Sequence, residues 1–256
     1  MKTSAVAALF FLPLCAAQTP DFSGVWQADM AKSHFAGPPV TQYLMIIEQQ
    51  GPKLNRLTGM SGQRGEQRSS FTFNIDGKAS IDSYSGVPAR TETSWKDGKL
   101  VAETKIAGAH PSTVTDTYSL SADGKTLTLD AAMSMGGRDM QQTVVFDKQP
   151  DSAGEPLRKP EQKAGERFKN VKLLKDVPAS QFMDTMRYFT FSLGVNCEHC
   201  HVEHHFEADD KKEKEVARKM MLMTHTANET TFGGKYEVRC YTCHRGSKEP
   251  QSLPSF

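Results

Sequence analysis

The sequence predicts two unlike halves, an N-terminal antiparallel β-barrel or sandwich and a C-terminal, mostly helical domain. Three observations predict this. From Asp21 to Lys148 apolar and polar residues alternate, and Asp76-Gly77, Asp97-Gly98 and Asp123-Gly124 interrupt the alternation as hairpin turns do. Beyond residue 168, apolar residues recur at spacings of three and four, the period of a helix packed by one face. Between them, 149–168 sets Pro150, Pro156 and Pro160 among alternating charges with few apolar side chains, the composition of a linker. The expected division is a leader at 1–17, a β-domain at 21–148, a linker at 149–168 and a helical domain at 169–256.

Each element follows from its residues. Lys2 supplies a positive n-region, 5–14 an apolar stretch, and Cys15-Ala16-Ala17 a small-residue cleavage site before Gln18. Residues 1–17 therefore read as a signal peptide cleaved after Ala17, which makes the protein periplasmic or secreted. A lipid anchor at Cys15 is not favoured, because the bulky Leu14 precedes it where a small residue is expected. Phe22-Ser23-Gly24-Val25-Trp26 opens the β-domain and resembles the G-x-W start of lipocalin-like barrels; Trp26 is then either a core aromatic or part of a ligand calyx. Candidate strands follow at 41–47, 54–58, 71–75, 91–95, 100–106, 114–120, 126–129 and 142–146, for a meander of eight to ten antiparallel strands.

In the helical domain the first long helix is expected to begin near Pro178, capped by Asp176 or Ser180. It would carry Phe182, Met183, Met186, Phe189 and Leu193 on one face and end at Gly194. A second is expected after Asp209-Asp210, running through Val216, Ala217, Met220, Met221 and Met223.

Composition excludes several classes of partner. The chain has 31 Lys and Arg against 30 Asp and Glu, and each half is balanced, so no basic excess is available to neutralise phosphates and nucleic acid is not expected. Beyond the first twenty residues the longest apolar run is 43–47, far short of the ~20 residues that span a bilayer. No transmembrane span is expected in the mature chain.

The cysteines carry the chemistry. Apart from Cys15 there are four, and both pairs are followed by histidine: Cys197-Glu198-His199-Cys200-His201 and Cys240-Tyr241-Thr242-Cys243-His244. C-x-x-C-H is the attachment signature of c-type haem, in which two thiols add to the porphyrin vinyls and the adjacent histidine ligates iron. With 5 Cys and 8 His in 256 residues, chance supplies roughly 0.003 such motifs. A zinc site of the C-x-x-C…C-x-x-C kind wants about 15–20 intervening residues, whereas 39 separate Cys200 from Cys240. Two disulfides would leave both trailing histidines unexplained. The expected cofactors are two covalently bound c-type haems, attached through Cys197, Cys200, Cys240 and Cys243, with His201 and His244 as axial ligands.

The order Phe182…Met186-Arg187…Leu193-Gly194-Val195…Cys197-x-x-Cys200-His201-Val202, then Val216-Ala217-Arg218-Lys219-Met220, then Cys240-Tyr241-Thr242-Cys243-His244-Arg245-Gly246 is similar to the cytochrome c subunit of photosynthetic reaction centres. The similarity covers about residues 169–247 and adds to it an N-terminal lipocalin-like β-domain that the family pattern lacks. It implies a diheme c-type cytochrome domain in which each iron has its motif histidine on one side and a helix methionine on the other. By that resemblance Met186 and Met220 are the methionine ligands. The family's reaction-centre subunit carries four haems in two such units; this chain has one unit and two motifs.

Two six-coordinate irons would leave no site for a substrate, so the expected function is electron transfer to redox-partner proteins, not catalysis. The alternatives are a peroxidase-like diheme enzyme or a haem-based sensor with one open iron. His204, His205 and His225 compete as ligands in a bis-histidine scheme. Met183, Met221 and Met223 read as filler against porphyrin, and Arg218, Arg239 and Arg245 as partners for propionates or plain surface.

Overall fold

The structure, a computed structural model, describes residues 19–63, 65–108, 112–135 and 137–251. The expected signal peptide, its cleavage site and Cys15 lie outside the described residues.

Ten strands follow one another: β1 (Gly24–Ala28), β2 (Val40–Gln50), β3 (Lys53–Gly62), β4 (Gly65–Asn74), β5 (Ser80–Tyr84), β6 (Val87–Lys96), β7 (Lys99–Ile106), β8 (Ser112–Leu120), β9 (Thr126–Met135) and β10 (Arg138–Gln149). They form one antiparallel sheet in the order β4-β3-β2-β1-β10-β9-β8-β7-β6-β5. β1 pairs with both β2 and β10, which rolls the meander on itself. The edges β4 and β5 meet through side chains: the Thr72 amide donates to Asp82 (3.3 Å) and the Asn74 amide to Ser80 Oγ (3.2 Å). The result is a nearly closed barrel, which leaves little unpaired edge.

Alternation fills the inside. Phe22, Trp26, Met45, Ile47, Leu54, Phe73, Leu100, Tyr118, Leu127, Val144 and Phe146 are all but sealed from solvent. Full burial of one such side chain contributes roughly 1.5–3 kcal/mol. Trp26 is a core aromatic, with its indole N–H satisfied by the Phe22 carbonyl at 2.9 Å.

The apolar run 43–47 is buried at every position because both faces of β2 are covered. Tyr43, Met45 and Ile47 face the interior, while Leu44 and Ile46 lie with Val25 under Leu157. Leu157 belongs to the stretch expected as a linker. That stretch is not an extended tether: it holds a 3-10 turn (Asp151–Gly154), α1 (Glu155–Arg158) and α2 (Ala164–Arg167). Pro156 suits the first turn of α1, where its missing N–H costs nothing. Leu157 seats so closely on β3 that a Cβ at Gly59 would collide with it.

Two long helices follow, α3 (Ala179–Leu193) and α4 (Lys212–Phe232), and then the short α5 (Cys240–His244). α3 does not use Asp176 or Ser180 as its cap; Pro178 holds that position with no side-chain bond. The Glu161 carboxylate reaches in instead, accepting from the Ser180 amide (3.0 Å) and hydroxyl (2.7 Å), while Asp176 pairs with Lys163 at 2.8 Å. Gly194 ends α3 with φ 64, the left-handed value glycine adopts without strain. α3 packs on β4 and β6. At that contact Gly86, in the β5–β6 turn, meets the Asp184 backbone where any Cβ would collide. No helix among the described residues is long and apolar enough to cross a membrane.

Candidate haem-attachment site

Each C-x-x-C-H motif folds as a single helical turn. The first forms a 3-10 turn over Cys197–His199, with the His201 amide bonded to the Cys197 carbonyl (3.1 Å); the second is α5 itself. One turn brings the two cysteines, three apart, and the histidine, four from the first, toward a common side. None of these four cysteines is in a disulfide. Burial pushes the Cys200 and Cys240 thiols up.

The histidines are held alike. His201 Nδ1 lies 2.8 Å from the Phe206 carbonyl, and His244 Nδ1 lies 3.0 Å from the Ser247 carbonyl. A carbonyl can only accept, so each Nδ1 carries a proton, and Nε2 is the ring nitrogen left to face a metal, the arrangement that orients a metal-ligating imidazole. His244 is 9% exposed and His201 half-buried.

α3 ties the motifs together. Phe191 stacks on Tyr241, inside the second motif, with centroids 5.0 Å apart and planes within 12°. The Gly246 amide donates to the Ser192 carbonyl at 2.9 Å. A Cβ on Gly194, which precedes the first motif, would strike the carbonyl of Gly246, which follows the second. Beside this contact the fully buried Ser192 hydroxyl finds no hydrogen-bond partner.

Met186 is half-buried on α3 and Met220 half-buried on α4. Around them the helices keep apolar surface open: Met183, Val216, Leu222 and Met223 are 46–54% exposed. Among the described residues from 169 onward, none of the large apolar side chains is buried; only Ala179, Ser192, Asn228 and His244 are. The residues present therefore fit a haem domain, with paired thiols, two oriented histidines and a helical shell whose apolar faces have no protein core to fill.

Polar clamps hold α4. Asp209 accepts from Arg218 (2.9 Å), Lys172 (2.8 Å) and Lys214 (3.2 Å), and these donors, Arg218 foremost, hold its carboxyl far below the usual range. Lys214 also donates to the carbonyls of Phe206, Glu207 and Ala208. At the far end Asn228 exchanges two bonds with the Val238 backbone. Arg218 is thus committed to Asp209 and Glu215, and Arg239 Nε to the Tyr236 carbonyl. His204, His205 and His225 are exposed.

Sequence reading missed Phe206, Ser247, Phe191 and Glu161. The first two act through backbone carbonyls, which no residue type announces; Phe191 lies off the face predicted for its helix.

A sequence model of the photosynthetic reaction centre cytochrome C subunit matches residues 124–254, just over half the chain. The match extends beyond 169–247 to take in β9 and β10. The reaction center cytochrome c subunit of Thermochromatium tepidum is 38% identical over 93 residues, 35% of this chain and 23% of its own. Cytochrome c-554 of Chloroflexus aurantiacus is 31% identical over 94 residues, 34% and 22% of the two chains. The matched part spans about a quarter of these relatives' length. Among solved structures, lipid binding protein 8 of Caenorhabditis elegans is 13% identical and aligns over 50% of this chain and 95% of its own, at a TM-score of 0.34. With the family match enclosing both attachment motifs, the chain belongs to the photosynthetic reaction centre cytochrome c subunit family, and membership implies covalently bound c-type haem.

Proposed function

We propose that the protein is an exported diheme c-type cytochrome that carries electrons between redox-partner proteins in the periplasm or outside the cell. Cys197 and Cys200 hold one haem, and Cys240 and Cys243 the other. These thiols would hold the haems as thioethers to the porphyrin vinyl groups, an addition that calls for no oxidant. His201 and His244 would hold iron through Nε2, with Met186 and Met220 as the second ligands. The haem irons supply the one-electron couple. The chain orients the imidazoles, fixes their tautomers and wraps the rings in the apolar faces of α3 and α4. With no open coordination position, electrons move without substrate chemistry. The β-domain (21–148) and the helical domain (169–256) act as separate units, the second carrying both haems.

The observation that carries this reading is the paired geometry of the motif histidines, each with Nδ1–H committed to a carbonyl. The test is haem content with intact mass on protein matured by a c-haem export system. Two haems on a chain beginning at Gln18 are expected; disulfides and no haem would end the reading. Met186→Ala and Met220→Ala should each open one haem to carbon monoxide and lower its potential, because a thioether ligand favours ferrous iron. Carbon monoxide binding by the unmutated protein would favour an enzyme or sensor instead.

A further inference from the structure

The interior of the barrel is filled at one end and open at the other. Phe22, Trp26 and Tyr118 pack the first end solid. Toward 35–40 and the β9–β10 hairpin lies a cavity of about 300 Å³, within the size range of small-molecule sites. Its lining combines the apolar side chains of Phe35, Met60, Leu129 and Met133 with a polar group, Arg56, Asp116, Tyr43 and Tyr84. Side chains alone can fill a barrel of this kind, and a buried ion pair is a poor substitute for apolar filling. An ion pair on the wall of an open cavity therefore calls for an explanation other than packing.

The hydrogen bonds supply one. Arg56 Nη1 donates to Asp116 Oδ2 (2.8 Å) and to the Tyr118 hydroxyl (2.5 Å). Arg56 Nε and Nη2 and the hydroxyls of Tyr43 and Tyr84 have no hydrogen-bond partner among the described residues, yet none is sealed from open space as Ser192 Oγ is. Burial raises the Tyr43 and Tyr84 phenols, which remain neutral donors. The lining is thus rich in unused donors. Its net charge is already balanced, because Asp116 neutralises Arg56. An incoming anion would face the Asp116 carboxylate; a neutral acceptor would take up the donors without that repulsion.

We propose that the barrel interior binds an uncharged, largely apolar molecule with a carbonyl acceptor, held by Arg56 and the hydroxyls of Tyr43 and Tyr84 and packed on Phe35, Met60, Leu129 and Met133. The site is independent of the haem reading. Two probes of the same shape test it, 2-acetylnaphthalene and the 2-naphthoate anion, titrated calorimetrically into the full-length protein. The ketone should bind at one site, at least about tenfold tighter than the carboxylate. Tyr43→Phe and Tyr84→Phe, which keep the rings, should each weaken it by about three- to tenfold, the worth of one hydrogen bond. Met133→Trp, checked for an unchanged far-ultraviolet spectrum, should fill the cavity and abolish binding. Tighter binding of naphthoate would overturn the neutral-ligand assignment. No binding of either probe, or a ketone affinity unmoved by all three substitutions, would overturn the site.

Discussion

The barrel and the helical region dispose of their apolar surface in opposite ways. In the barrel, Trp26, Phe73, Tyr118 and Phe146 find one another and water is excluded by protein alone. In the helical region Met183, Val216, Leu222 and Met223 lie open on α3 and α4, and the elements are joined by polar clamps, the Phe168–Phe182 and Phe191–Tyr241 stacks and a glycine contact. Both patterns read as amphipathic in sequence. The difference is whether the apolar face finds its partner in the chain or in a prosthetic group.

The sharpest way to break this comparison is to withhold haem. With Cys197, Cys200, Cys240 and Cys243 all changed to Ser, the helical circular-dichroism signal should largely disappear while the barrel stays folded. Both tryptophans, Trp26 and Trp95, lie in the barrel, so their fluorescence reports on it alone. Helices that melt cooperatively without haem would refute the contrast. Next in size, Trp26→Ala should cost the barrel about 3–5 kcal/mol in denaturant unfolding, read through Trp95, with the visible haem spectrum unchanged.

Leu157→Ala sharpens the boundary between the regions. Leu157 is 7% exposed and lies outside every strand, yet its loss should lower the barrel transition by about 2 kcal/mol. A barrel indifferent to it would restore 149–168 as a plain tether. The smallest effect concerns Asp209. Its folded pKa is depressed, so its contribution is present above the unfolded carboxylate value of about 3.9 and fades as pH falls below it. Amide-exchange protection of α4 should weaken on acidification through that range, and Asp209→Asn should remove the dependence. The Asp209 side chain is 39% exposed, so water screens the pairs and the change is modest.

What sequence reveals here depends on how local the cause is. Asp97-Gly98 and Asp123-Gly124 mark their hairpins because a tight turn is decided by its own residues. Gly194 marks the end of α3 for the same reason. Asp76-Gly77, expected to mark a hairpin too, instead turns the chain between β4 and β5, the two edge strands of the sheet, because which strands pair is decided by the closure of the barrel and not by the turn. The C-x-x-C-H motifs are legible because all their chemistry falls within one turn of chain. Leu157 is not: one apolar residue in a charged, proline-bearing stretch gives no period, and its role depends on Val25, Leu44 and Ile46 being brought beneath it. Glu161 caps a helix from 19 residues away, beyond the reach of any local capping rule. The carbonyls that orient His201 and His244 leave no trace in residue identity.

The contact of Gly194 with Gly246 closes a ring of chain. Everything from 195 to 245, both attachment motifs and all of α4 included, leaves and re-enters the molecule at a single point. A stretch whose ends coincide is a cassette: it can be lengthened inside, copied in tandem or grafted elsewhere without stretching its host. The cassette's other ties to the rest of the chain include side-chain contacts, the Lys172–Asp209 ion pair and the Phe191–Tyr241 stack among them, which do not fix the length of chain between its ends.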